Sequence, residues 1–361
     1  MYNFKIFKGK KIIITGHTGF KGSWLTLWLS YLGAKLLGIS DGFETSPNHF
    51  KLLKLNSKIK NLNLDIKNLN KLKKVISSFN PDFVFHLAAQ SLVSKSYSEP
   101  INTFNSNTIG TLNLLQSLRN LKKNCSVVII TSDKSYKNME VNRGYKEEDL
   151  LGGKDPYSAS KAAAEMILNC YTNVYFHKKK INIGIARAGN VIGGGDWSKD
   201  RLIPDCIKSW SINKKVVLRN PYSTRPWQHV LEALSGYLFL AIKLKKNNKL
   251  HGEAFNFGPG NNVNKNVITL VKIMKKFWKN VEWKYDKNSS QRIFESSLLK
   301  LNSKKSKKHL NWESVLNFDQ VSEMTIDWYK NFYSKKIDIK KFSLNQIKFY
   351  EKILKKRKKI L

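Results

Sequence analysis

The chain has 361 residues, 41% of them hydrophobic and 12% aromatic, enough for one large α/β unit or two smaller domains around a sizeable core. Its spread of 20 Gly and 8 Pro excludes collagen-like and low-complexity classes, and three distant cysteines, Cys125, Cys170 and Cys206, exclude a disulfide framework and fit a reducing, cytoplasmic setting. Sixty-four Lys and Arg against 26 Asp and Glu leave a formal charge of +38, but the excess is mostly Lys scattered through every segment, as surface drift produces, so no specific nucleic-acid partner is expected from it.

In chain order, Met1 to Lys11 alternates apolar and Lys residues and lacks the small-residue cleavage site of a signal peptide. Lys11 to Thr15 is a short apolar run that opens into a Gly-rich turn and predicts the first strand. A helix is expected over Ser23 to Leu32 and a second strand over Lys35 to Ser40. The Leu- and Trp-rich stretch from Gly22 to Ile39 is interrupted by Gly33 and Lys35, so it reads as buried helix, turn and strand, and a soluble protein with no membrane partner is expected. Further strands are predicted at Leu62 to Asp65, Asp82 to Leu87, Ser126 to Thr131 and Ile181 to Ala186. Apolar runs separated by helical segments indicate a parallel sheet covered on both faces, an α/β doubly wound (Rossmann) fold.

After about Gly189 the elements shorten between Gly193-Gly194-Gly195, Asn220-Pro221 and Gly258-Pro259-Gly260, which predicts a smaller C-terminal substrate domain. The expected division is a dinucleotide-binding domain over 1–188, to which segments after about 230 return, and a domain mainly for substrate over 189–335. A Lys-rich helix over 336–361 follows, with Leu344, Ile347, Tyr350, Ile353 and Leu354 on its apolar stripe.

Gly16-His17-Thr18-Gly19-Phe20-Lys21-Gly22 joins the first strand to the first helix. Glycines at such a turn let the backbone approach a pyrophosphate, and the helix start offers free N–H groups. Asp41 ends the second strand 19 residues after Gly22, placed to accept from ribose hydroxyls, and no Lys or Arg lies between it and Lys51 to receive a 2′-phosphate. The expected cofactor is therefore NAD. Asp65 is open to two readings, an adenine contact or a helix cap.

Tyr157 and Lys161 are four apart and share a helix face. A lysine beside the phenol, together with a positive nicotinamide, lowers the Tyr pKa and makes it a base for a sugar hydroxyl. Thr131-Ser132-Asp133-Lys134 ends the fifth strand, at the sheet edge that faces the ligand crevice. His86 and His229 read as core or loop histidines, and with no Cys or carboxylate cluster beside them no metal is expected.

These motifs resemble the extended short-chain dehydrogenase/reductases, in particular the nucleotide-sugar 4,6-dehydratases of the CDP-glucose branch. The resemblance runs over nearly the whole chain, through Thr15 to Trp24, Phe85-His86-Leu87-Ala88-Ala89-Gln90, Thr131 to Lys134, Leu151 to Ser158, Ala186 to Trp197, Asp200 to Asp205 and Arg225 to Val230. It implies a lyase on the route to deoxysugars of lipopolysaccharide O-antigen and other surface polysaccharides, a homodimer or dimer of dimers built on a four-helix bundle, and CDP-glucose as substrate. In the implied cycle Tyr157 deprotonates the C4 hydroxyl while NAD takes the C4 hydride, water leaves across C5 and C6, and the hydride returns to C6. Ser132 would bind O4, Asp133 would protonate the leaving hydroxyl, and Lys134 would assist loss of the C5 proton as base or as electrostatic stabiliser.

The implied cofactor set is Gly16, His17, Gly19, Phe20, Lys21, Gly22, Asp41, Asp65, Ile66, Leu87, Ala88, Ala89, Asn107, Tyr157 and Lys161. Gln90, Asn190, Arg201, Arg225 and Trp227 are the substrate candidates, with Trp227 open to stacking on cytosine or to core burial. Two departures stand out. His17 is bulkier than the residue common in related folds and is expected to crowd the cofactor, though it agrees with the CDP-glucose branch. Phe294 stands where the family stretch Arg292-Ile293-Phe294-Glu295 usually has His. The competing readings are a sibling dehydratase or 4-epimerase, and a non-catalytic dinucleotide-binding protein associated with nucleic acid.

Overall fold

The computed structural model describes residues 4–141, 143–177, 180–260, 264–279, 281–285 and 299–357. The Arg292 to Glu295 stretch lies outside them. Six strands alternate with helices through the first half: β1 (Lys11–Thr15), β2 (Lys35–Ser40), β3 (Lys60–Asn63), β4 (Phe83–His86), β5 (Cys125–Ile130) and β6 (Ile181–Ala188). Four short strands follow, β7 (Val191–Ile192), β8 (Val216–Leu218), β9 (Thr224–Pro226) and β10 (Gln228–His229), before β11 (Ala254–Phe257). The main sheet has the order β11-β6-β5-β4-β1-β2-β3, and all its pairs are parallel. The order reverses between β1 and β4, so their carboxyl ends open a crevice there.

The central strands form because both faces are covered: Ile12, Ile13 and Ile14 are fully buried, worth roughly 1.5–3 kcal/mol for each side chain. The helix Phe20–Tyr31 is apolar nearly all round, and Trp24 and Trp28 are fully buried in it. Their indole N–H groups donate to the Gly194 carbonyl at 2.9 Å and to Glu351 at 2.8 Å, which binds this helix to two distant segments. Gly33, at φ +79°, then turns the chain into β2.

Two strands differ from expectation. β3 sits two residues earlier than predicted, because at the sheet edge only Leu62 alternates inward and register is set by pairing with Leu37–Ser40. β11 carries no long apolar run, yet it pairs along Ile185–Ala188 and returns the chain to the main sheet. The helix Ile339–Arg357 buries Ile347, Tyr350 and Leu354, and the Tyr350 hydroxyl meets Ser235 and Glu232, each at 2.8 Å. Among the described residues no helix is long and apolar enough to cross a membrane.

Candidate active site

A cleft of about 1660 Å³ opens at the carboxyl ends of β1, β4, β5 and β6, larger than the ~300–1,000 Å³ that one small ligand fills and spacious enough for two nucleotides side by side. One wall is backbone. Gly16 has φ +72°, and a Cβ there would lie 2.6 Å from the Ala88 nitrogen; a Cβ on Gly22 would lie 2.0 Å from the Gly16 oxygen. The helix begins at Phe20 with no side chain capping it and no acid in its first turn. Its free N–H groups therefore face the cleft and fit a pyrophosphate. Asp41, Asp65, Ile66, Leu87, Ala88 and Ala89 continue this wall, so the residues present fit a dinucleotide.

Asp65 accepts from the Lys67 nitrogen at 2.8 Å, and the cap of the next helix is Asn68, not Asp65. His17 does not crowd the cleft. Its ring is fully buried behind the loop, bonded to Asn61 at 2.7 Å and edge-on to Phe50, in the space that Gly38 leaves for it. Asn107 is likewise not at the cofactor surface. It is buried, accepts from the Gln90 nitrogen at 2.8 Å and donates to the Ser160 hydroxyl at 2.9 Å, so it clamps the segment after β4 to the Tyr157 helix.

At the floor of the cleft stand Ser132, Asp133, Lys134, Tyr157 and Lys161. The Tyr157 helix starts at Pro156, with the Asp155 carboxylate accepting from the Ser158 nitrogen at 2.9 Å. Ser132 is the matching cap of a short turn, its hydroxyl accepting from the Lys134 nitrogen and donating to Asp133 at 3.0 Å. The Tyr157 hydroxyl faces the Ser132 hydroxyl.

Burial raises the Asp133 carboxyl above the usual carboxylate range, against the opposing Lys134 charge, the Ser132 hydrogen bond and Lys21. Burial also pushes the Tyr157 phenol up to about 12; the Ser132 hydroxyl opposes the rise, Asp133 adds to it and Arg201 opposes it. The expected depression by Lys161 is thus not what the surrounding groups produce. The Lys161 ammonium lies 3.5 Å from the Ile130 carbonyl and is lowered to about 8 by burial, with Glu165 opposing. Lys134 makes no ion pair to Glu165, which is taken by Arg187 at 2.5 Å.

The opposite wall carries charge. Asn190, Arg201, Arg225 and Trp227 line it, and Gln90 lies between the walls. Arg201 pairs with Asp196 at 3.0 Å and donates to Ser91. The Trp227 indole is 4% exposed and donates to the Lys265 carbonyl at 2.9 Å, so most of its ring is core and only an edge reaches the cleft. Lys21, expected among the cofactor contacts, reaches toward Arg201, Asp133, Lys161 and Asp196, and burial with Arg201 lowers it to about 8. One group here was not expected. Arg219, at the end of β8, lies within 3.7 Å of both Asp200 and Asp205. Among the described residues no group of three His, Cys, Asp or Glu could hold a metal ion.

A sheet with this switch point, a glycine loop under one half of a two-nucleotide cleft and a Tyr–Lys helix beneath the other defines a dinucleotide-dependent sugar-nucleotide enzyme as the class to compare. The model of the GDP-mannose 4,6 dehydratase family matches residues 13–325. A CDP-glucose 4,6-dehydratase of Salmonella typhimurium is 41% identical over 91% of this chain and 93% of its own. A UDP-glucose 4-epimerase of Mycoplasma genitalium is 26% identical over 90% and 97%. Among solved structures, the dTDP-glucose 4,6-dehydratase of Bacillus anthracis in complex with NAD superposes with a TM-score of 0.73 at 23% identity, covering 90% of this chain and 97% of that one. The chain belongs to the GDP-mannose 4,6-dehydratase family of nucleotide-sugar enzymes.

Proposed function

We propose that the chain converts CDP-glucose to CDP-4-dehydro-6-deoxy-D-glucose and water. The observation that carries this reading is the cluster at the cleft floor, where a buried carboxyl held toward its protonated form shares Ser132 with the phenol of Tyr157. An acid and a base on one hydroxyl suit a reaction that takes a proton from one sugar oxygen and gives one to another. A 4-epimerase has no leaving hydroxyl to protonate and no use for the acid.

NAD, when bound, supplies the two-electron acceptor and a positive ring that favours the phenolate. The backbone wall at Gly16, Gly19 and Gly22 would hold its pyrophosphate, Asp41 its ribose, and Lys161 the ribose beside the reacting ring. Ser132 orients the C4 hydroxyl toward Tyr157, whose oxygen takes the proton. Asp133 donates its proton to the departing C6 hydroxyl, which leaves as water. The C5 proton passes to solvent water, and Lys134 adds positive charge beside Asp133 that stabilises the negative charge developing as that proton leaves. Arg201 and Arg225 offer planar forks of donors to the diphosphate.

The surface on the far side of this helix supports self-association. Met166 is exposed on this helix, and Ile101, Phe104 and Ile109 are exposed on the segments that pack against it, apolar side chains suited to a homodimer in which two helices from each subunit pack together. The proposed setting is the cytoplasm, on the route to deoxysugars of surface polysaccharides.

The test is incubation with CDP-glucose in heavy water and mass analysis of the product. Loss of one water with one deuterium at C5, and a keto-sugar that develops an alkali-sensitive chromophore, is the expected result. An isomer of unchanged mass, or turnover only of a UDP- or dTDP-sugar, overturns the proposal.

A further inference from the structure

We propose that Glu165 is a positioning residue for this reaction: it ties the loop carrying Ser132, Asp133 and Lys134 to the helix carrying Tyr157 and Lys161. The inference rests on the reading above and concerns a carboxylate outside the cleft surface. Glu165 is 2% exposed and follows Lys161 by one helical turn and Tyr157 by two. One of its oxygens accepts from the Thr131 hydroxyl at 2.7 Å and lies 2.9 Å from the Ser135 hydroxyl, whose single proton it shares with the Ser132 carbonyl at 2.6 Å. These two residues bracket the loop on either side, so both of its ends are fastened to one oxygen.

The Arg187 guanidinium on β6 holds the other oxygen through Nη2 at 2.5 Å and Nε at 2.9 Å, and its Nε also lies 3.0 Å from the first. The same arginine reaches the Tyr136 hydroxyl at 2.6 Å and the Glu147 carbonyl at 3.0 Å, so the chain leaving the loop is held as well. A pair needed only for stability is replaceable by apolar groups of similar volume. Here the carboxylate offers more acceptor positions than Arg187 uses, and the surplus goes to the loop.

The same charge acts on Lys161. The titratable groups around that ammonium are Tyr157 and Glu165 on its own helix, Lys21 at the start of the first helix and His86 at the end of β4. Only Glu165 among these is an anion, so it sustains the charge of Lys161.

The test compares wild type with Thr131→Val/Ser135→Ala, which keeps the buried ion pair, and with Glu165→Gln, which does not. In the double variant kcat is expected to fall roughly 10- to 100-fold with KM for CDP-glucose changed less than about twofold, as misplacement of reacting groups produces. Amide hydrogen exchange over 131–136 rises at the same time, with the circular dichroism spectrum unchanged. In Glu165→Gln the fall of kcat at high pH moves down by about one pH unit, because Lys161 loses the anion that favours its charged form; Glu165→Asp restores it in part. If Glu165→Gln does not fold, the double variant decides alone. Unchanged kcat and unchanged exchange in the double variant overturn the proposal. A wild-type protein inactive on CDP-glucose overturns the functional reading instead, and the exchange measurement still decides the positioning.

Discussion

The two walls of the cleft are built by different means. The wall of Gly16, Gly22 and Ala88 is made of backbone at such close approach that two of its positions admit no Cβ. The wall of Asp196, Asp200, Arg201 and Arg219 is made of side chains, and its ion pairs are partly open to water: the Arg201 side chain is 32% exposed and that of Arg219 46%. The exposed Arg219 pairs are worth only about 0–1 kcal/mol each, so Arg219 can leave its carboxylates at little cost, whereas the Asp196 side chain under Arg201 is 6% exposed and holds its partner more firmly. One wall is a mould of fixed shape and the other a set of charges that rearranges. The first should respond to substitution in all-or-none fashion, the second in graded losses of affinity.

The largest effect is expected where the walls meet, at the floor. Asp133→Asn keeps the shape and removes the acid, and kcat should fall about 10²- to 10⁴-fold with little change in KM. Steady-state rates on CDP-glucose check this; a loss confined to KM would mean that Asp133 belongs to the binding wall. Next comes the mould. Gly22→Ala places a methyl 2.0 Å from the Gly16 oxygen, and the backbone must move. NAD affinity measured by titration calorimetry should drop roughly 100-fold, the equivalent of overpacking by about 3 kcal/mol. Retained affinity would show that the loop is not the moulded surface described here.

The same contrast explains what could be seen in the sequence. The glycine loop was legible because close backbone approach has one solution in residue type, and its spacing survives as a motif. Tyr157 and Lys161 were legible because helical periodicity puts them on one face. The direction of the Tyr157 shift was not, since neighbouring residue types do not reveal burial, and burial is the largest cause of its rise to about 12. His17 was misjudged for a related reason: the slot that takes its ring is made by Gly38, from another strand. Arg219 and the bonds of Glu165 depend on segments brought together only by the fold. The short strand β11 was missed because the four-residue run Ala254–Phe257, broken by Asn256, looks like any loop until it pairs with β6.

A third prediction concerns the charged wall. Arg201→Met removes the fork but keeps the apolar stem, so KM for CDP-glucose should rise about tenfold while kcat holds within a few fold, the signature of lost uniform binding. Added salt should weaken wild-type binding more than binding by this variant, because a charge contact has gone. Equal salt dependence in the two proteins would place the diphosphate elsewhere.

The smallest effect tests whether the walls are coupled at all. Gly189 follows β6, and a Cβ there would come 3.0 Å from the Asp133 Oδ2 and 3.8 Å from the Pro226 ring. Its backbone is not in the left-handed region, so alanine is allowed, and the strain falls on one carboxyl oxygen. That oxygen must move by a few tenths of an ångström, which should lower kcat by about two- to fivefold. The methyl also strips solvent from a carboxyl that burial already raises. Further burial disfavours the charged form, so Asp133 should keep its proton to higher pH, and the point at which kcat falls through loss of that proton should move upward. A pH–rate profile of Gly189→Ala against wild type measures both. If rate and profile are unchanged, Asp133 is held by the Ser132 loop alone, and the charged wall can be altered without reaching the chemistry.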